Sequence, residues 1–174
     1  MLNWITVDEK YLDYLRTNVD SRIPQVTYGP DHYKPFFGVL FETGDHAYVT
    51  TVSHPQARHQ TMKSSPDFIK VYDVTELLCV VNLNYMFPVL KSDINYLNYA
   101  NINTYRTFTS IKEQNDYIAL LKREMHCMSS MKIEEKAKKL YRIRCAHPES
   151  PIAQRCLDFL VLEKACTEYH AAKI

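Results

Sequence analysis

"FFGVLFETGDHAYVTTVSHP", residues 36–55, decides the fold. Two apolar runs, 36–42 and 46–52, flank the short polar link "TGD", and both are rich in β-branched and aromatic residues. Runs of that length and chemistry, joined by a glycine-bearing link, predict an antiparallel hairpin. Further strands are predicted at "FIKVYDV" (68–74), "LLCVVNL" (77–83) and "MFPVL" (86–90), with "MLNWIT" (1–6) as a first strand. Several short strands at close spacing suggest a compact antiparallel, barrel-like sheet. Asp8 is placed to cap a short helix running to about Arg16, with Tyr11, Leu12 and Leu15 on its apolar face. The segment 21–35 carries Pro24, Pro30 and Pro35 and is expected as a long loop.

The second half has helical periodicity. Ile111, Ile118, Leu121, Met125 and Met128 recur at helical spacing from Ser110 to about Cys127. A second helix is expected over "SSMKIEEKAKKLYRIRC", capped by Ser129 or Ser130, and a third, buried one over "IAQRCLDFLVLEKACTEYH". The expectation is therefore an α+β chain forming one domain over 1–174, mainly strands to about 91 and helical from 92.

Length and composition narrow the function. At 174 residues the chain can bury a sizeable core. Its net charge of +1 argues against whole-surface attraction to nucleic acid, so a polyanion must be met by a local patch. Three glycines are too few, and too scattered, for a nucleotide-binding loop. Acidic residues show no spacing for a catalytic metal, so neither cofactor nor metal is expected. The five cysteines have no Cys-x-x-Cys pair and suit reduced, buried thiols. With no secretory signal and no run near the roughly 20 apolar residues that span a bilayer, a cytoplasmic protein without membrane association is expected.

Residues 53–63 concentrate Ser53, His54, Arg58, His59 and Lys63 after the second strand, with Ser53 or His54 as the cap of a short helix. A hydroxyl, imidazoles and cations can bind a phosphate and move a proton near neutral pH. RNA brings its own nucleophile, the 2′-hydroxyl, so a base, an acid and a group to stabilise charge on phosphorus suffice for cleavage. The plainer alternative is a polar surface loop. The segment 131–144 sets six cations against two glutamates, net +4, with Lys132, Lys136 and Lys139 on one face. That face could follow a phosphate backbone, or be an ordinary solvated one. Thirteen tyrosines, among them Tyr28, Tyr33, Tyr96, Tyr99 and Tyr105 in polar surroundings, offer rings for unpaired bases.

The order "YKPFFGVLFE", "AYVTTVSHP", "QARHQTMKSSPDFIKVYD", "VVNLNYMFPV", from about Tyr33 to Val89, resembles the ToxN/AbiQ/CptN family of type III toxin–antitoxin endoribonucleases, its CptN branch above all. The resemblance implies a MazF/Kid-like barrel with helices and a metal-independent ribonuclease leaving 2′,3′-cyclic phosphate and 5′-hydroxyl ends. It implies a small pseudoknot RNA antitoxin, cut from a repeat precursor, in closed protein–RNA assemblies, with cellular or phage RNA as substrate in abortive infection. Carried over by residue, Lys34 is the family's basic residue before the "PFFG" strand and Ser53 its hydroxyl; both would contact the scissile phosphate. Where the family has a second serine followed by Pro-Lys, this chain has His54-Pro55-Gln56. The lysine is lost, and His54 becomes the candidate acid/base, with Lys63 in reserve. Thr51, Arg58, His59 and Lys70 would orient the strand, Tyr28 and Tyr33 would meet bases, and Lys132, Lys136 and Lys139 would grip antitoxin RNA. The alternative is a non-catalytic RNA-binding module using the same surfaces.

Overall fold

The structure is a computed structural model that describes residues 2–25, 27–29 (backbone alone) and 31–172. In chain order it comprises β1 (Asn3–Thr6), α1 (Glu9–Asn18), β2 (Thr27–Gly29), β3 (His32–Tyr33), β4 (Phe36–Thr43), β5 (His46–Ser53), α2 (Ala57–Thr61), β6 (Phe68–Asp73), β7 (Glu76–Leu90) and β8 (Asn95–Tyr96). Four helices follow: α3 (Ile111–Ser129), α4 (Ile133–Ala146), α5 (Pro151–Arg155) and α6 (Phe159–Ala171). Short 3₁₀ turns cover Lys91–Asp93 and Tyr99–Thr104.

The expected hairpin is β4–β5, with Thr43 paired to His46 and Gly44 turning the chain at φ +53°. Gly38 is required by packing: a Cβ there would meet Val49 Cγ1 at 2.9 Å and the Tyr48 carbonyl at 3.1 Å. Six antiparallel strands lie in the order β6-β7-β5-β4-β1-β8. The sheet is open. No pairing joins β6 to β8 among the described residues, so the barrel expectation is corrected to a six-stranded open sheet with C-terminal helices. Two expected strands, 77–83 and 86–90, are one continuous β7. It pairs with β6 through residues 76–82 and with β5 through 80–90, absorbing a register shift opposite Val49–Thr51.

Helices cover the sheet, with α6 on β7, α4 on β4 and α3 on β6. Polar tethers fix them: Trp4 Nε1 donates to the Leu121 carbonyl (3.0 Å), Tyr11 hydroxyl to the Pro88 carbonyl (2.7 Å) and Tyr48 hydroxyl to Glu163 (2.8 Å). Asp8 caps α1, as expected, and α3 starts where the apolar spacing placed it, with Ser110 as its cap. Ser129 and Ser130 do not cap α4; Lys132, in the left-handed conformation, precedes it. The expected third helix breaks at Cys156–Asp158, where Asp158 caps a new helix. Leu160 and Val161 point to solvent, so that segment is amphipathic rather than buried on all sides. The 21–35 segment holds the β2–β3 ribbon where a bare loop was expected. Cys79, Cys156 and Cys166 are buried, Cys127 and Cys145 half-buried, and all are unpaired. No described helix is long and apolar enough to cross a membrane.

Candidate active site

β5 ends on Thr51-Val52-Ser53, and strand alternation puts Thr51 and Ser53 on one face. They help line a cleft of ≈ 490 Å³. Ser53 is held in place from the neighbouring strand: Asn82 Nδ2 donates to its Oγ (3.1 Å), while the Asn82 carbonyl accepts from Thr50 Oγ1 (2.6 Å). His54 follows at the rim, open to solvent. Desolvation in the cleft, then the charges of Lys34 and Arg106, hold its imidazole below the ordinary histidine value.

Arg22, Lys34, Arg58 and Arg106 line the cleft along with three histidines, and among the described residues no aspartate or glutamate lines it, although Asp20, Glu124 and Glu113 pair with Arg22, Lys34 and Arg106. Lys34 enters from the link between β3 and β4, its Nζ ion-paired to Glu124 and 5.2 Å from the centre of the Trp4 ring. Arg106 lies over the Tyr117 ring (4.5 Å to its centroid), and one of its terminal nitrogens donates to Glu113 (3.0 Å). Its Nε is buried and has no acceptor among the described residues. Such a cleft can neutralise a phosphate and the extra charge that builds up during its attack.

His59 serves a different purpose from the one expected. It is buried, with 4% of its surface exposed, and its Nδ1 accepts the Gln56 backbone N–H (3.0 Å) while its own N–H donates to the Gln56 carbonyl (2.8 Å). That reciprocal pair caps α2, displacing the cap from Ser53 or His54 to Gln56. A ring nitrogen that accepts a backbone N–H must carry its proton on Nε2, so the Arg58 Nε contact at 3.4 Å is not a second hydrogen bond to it. Tyr33 is buried as well, stacked on Tyr105 (5.2 Å), with its carbonyl accepting from the Tyr117 hydroxyl. The Tyr28 side chain lies outside the described residues. Arg58 reaches the cleft, whereas Lys63 and Lys70 do not line it; Lys70 Nζ donates to the Gln60 carbonyl (3.2 Å). Lys132 just before α4, and Lys136 and Lys139 on it, are exposed, and none of the three lines the cleft.

Among the contributors that escaped sequence reasoning are Arg22, His32, Asn82, Tyr85, Arg106, Tyr117 and Glu124. Asn82 had a signal, a polar residue inside an apolar strand. So did Glu124, which shares the buried stripe of α3 with Tyr117, Leu121 and Met128.

The family model of "Toxin ToxN, type III toxin-antitoxin system" matches residues 3–167. The chain belongs to this family. It is similar to Endoribonuclease ToxN of Pectobacterium atrosepticum, 28% identical over 131 residues that cover 68% of this chain and 75% of that protein. The ToxN fold recurs in a toxin solved in work on selective toxin inhibition by a non-coding RNA pseudoknot: TM-score 0.77, 22% identity, 97% of this chain and 98% of that one. It recurs in AbiQ, a lactococcal anti-phage endoribonuclease of the type III systems: TM-score 0.73, 20% identity, 98% and 99% coverage. At those identities the likeness to the solved structures is one of fold. The endoribonuclease family expected from the order of motifs is the family found.

Proposed function

We propose that this endoribonuclease toxin cuts RNA without a metal, through attack of the 2′-hydroxyl on the adjacent phosphate. The observation that carries this reading is a cleft holding Ser53 and His54 among cations, with no carboxylate on its walls among the described residues. His54, kept neutral near pH 7 by its depressed pKa, takes the 2′-hydroxyl proton. The 2′-oxygen–phosphorus bond forms, the bond to the 5′-oxygen breaks, and that oxygen is protonated by the imidazolium or by solvent. Lys34 and Arg106 neutralise the charge gained by the phosphoryl oxygens, and Ser53, oriented by Asn82, donates a hydrogen bond to one of them. The products are a 2′,3′-cyclic phosphate and a 5′-hydroxyl.

The same reading extends to partners. A pseudoknot RNA antitoxin, of the kind that inhibits the structural relative, fills the cleft and lies along the exposed lysines of α4, closing an assembly of alternating protein and RNA. The order of motifs from Tyr33 to Val89 supports a CptN-like member acting in the bacterial cytoplasm, with 1–174 as one domain and phage defence by abortive infection as its outcome. The test is cleavage by RNA-free protein in EDTA, with end-group analysis, beside Ser53→Ala and His54→Ala. Cyclic-phosphate ends made in EDTA and lost in the variants support the reading. Tight RNA binding without cleavage in any buffer overturns it in favour of a binding module.

A further inference from the structure

Beneath the cleft lies a carboxylate that the proposed chemistry leaves without a role. Glu124 is fully buried, 0% exposed, on the inward stripe of α3. One of its oxygens, Oε2, accepts from Lys34 Nζ. The other, Oε1, is buried and has no hydrogen-bond partner among the described residues. A buried carboxylate with half its acceptor capacity unmet is costly to a fold, and replacing such pairs by apolar groups is often stabilising. Its retention needs a reason beyond stability.

The surroundings narrow that reason. Lys34 is only 18% exposed and lines the cleft, with its Nζ over the Trp4 ring of β1. The titratable groups facing Glu124 are Lys34, Cys79 of β7, Tyr99 of the 3₁₀ turn and Tyr117 on α3; Lys34 also faces His54, as does Arg106. Among the described residues, Lys34 is the one cation paired with this carboxylate, and Glu124 is the one anion paired with Lys34.

We propose that Glu124 is a positioning residue of the cleavage site: ionised, it clamps the Lys34 ammonium in the cleft, and protonated, it releases it. The inference rests on the nuclease reading given above. Geometry and solvation agree on its direction. A hydrogen bond between two ions is roughly twice as strong as one to a neutral acid, so proton uptake by Glu124 loosens the clamp. Burial raises the Glu124 pKa above the ordinary carboxylate value, more than Lys34 lowers it, so the release falls at higher pH than for a surface glutamate.

Cleavage then requires His54 to lose its proton and is fastest with Glu124 ionised. The acid limb of log kcat against pH should steepen beyond a slope of one over the range in which Glu124 titrates in the wild-type protein. In Glu124→Gln the limb keeps a slope of one throughout, and kcat near neutrality falls by about tenfold to a hundredfold because the ammonium is no longer held. A thermal melt confirms that the variant is folded. A slope that stays the same in Glu124→Gln overturns the proposal. NMR titration of ¹³C,¹⁵N-labelled wild-type protein needs no activity: the Lys34 side-chain signals should move together with the Glu124 carboxyl. Lys34 signals that ignore the Glu124 titration overturn the clamp. If the wild-type protein cuts no RNA, the nuclease reading falls by itself, and the coupled titration still decides whether the clamp exists.

Discussion

His54 and His59 lie five residues apart, and the structure assigns them opposite roles. The perturbation is alanine at each. His59→Ala removes the side chain that satisfies the Gln56 N–H, and losing a helix cap costs about 0.5–2 kcal/mol. It also removes a ring packed 5.4 Å from Phe68 in a buried site, a contact worth about 0.5–1.5 kcal/mol. Together these predict a loss of about 2 kcal/mol, and for a domain of this size a Tm lower by roughly 4–8 °C. His54→Ala leaves Tm within about 2 °C, since the side chain is exposed at the rim. Cleavage separates the pair the other way. His54→Ala lowers kcat by about 10²–10⁴, the usual contribution of a general base. His59→Ala, assayed well below its Tm, loses less than about tenfold, chiefly in KM through a displaced Arg58. The pH dependence of stability follows from the same side chain. Desolvation, then Arg58 and Lys70, hold the His59 pKa below the ordinary value, so the unfolded chain takes up this proton first. The contribution of His59 is therefore fully present above about pH 6.5 and is lost as pH falls toward the folded pKa, and His59→Ala removes that dependence. Urea melts across pH 5–8 with parallel cleavage assays check both halves. A His59→Ala protein with unchanged Tm and abolished kcat would refute the assignment.

Three further outcomes are expected. Asn82→Ala frees the Ser53 hydroxyl, so kcat should fall about tenfold for a stability cost of about 1 kcal/mol, the worth of one hydrogen bond, read from kinetics and a urea melt. Lys136→Ala with Lys139→Ala should flatten the slope of log K against log salt for single-stranded RNA by about 1.4, two phosphate contacts at about 0.7 each; an unchanged slope puts α4 outside the RNA path. Val74, a β-branched residue at φ 55° and 94% exposed, carries left-handed strain without burial in return. Val74→Asn should raise stability by about 1 kcal/mol, or Tm by about 2–4 °C, with cleavage unaffected.

The parts of the fold legible in the sequence are those fixed by local pattern. Two apolar runs around a glycine-bearing link marked β4–β5, a cap at Asp8 marked the start of α1, and apolar spacing from Ser110 marked α3. Patterns misled where a long-range contact decides. Asn84 and Tyr85 look like a break between two strands, yet β7 runs through them because the pairing of β5 extends along it beyond that of β6. Asp158 sits in an apolar run that suggests one helix, yet its carboxylate caps a second, and the Leu157 N–H turns away to the Asn84 carbonyl (3.0 Å). The site divides along the same line. Ser53, His54 and Arg58 are close in sequence and could be read as a group, and Lys34 came from the family pattern. Arg22, Arg106 and Glu124 have no such neighbours: Glu124 meets Lys34 across 90 residues, and Arg106 reaches the cleft from the turn before α3. What the sequence does hold is a conflict, a glutamate at a core position of α3 between Leu121 and Met128. A charge on an apolar stripe breaks the local rule at a cost to stability, and such breaks concentrate where a protein works. A net charge of +1 hides a cleft whose charged lining is all cationic, because the sign of a surface field is set by which side chains the fold brings together, and only the folded chain brings these four cations to one place.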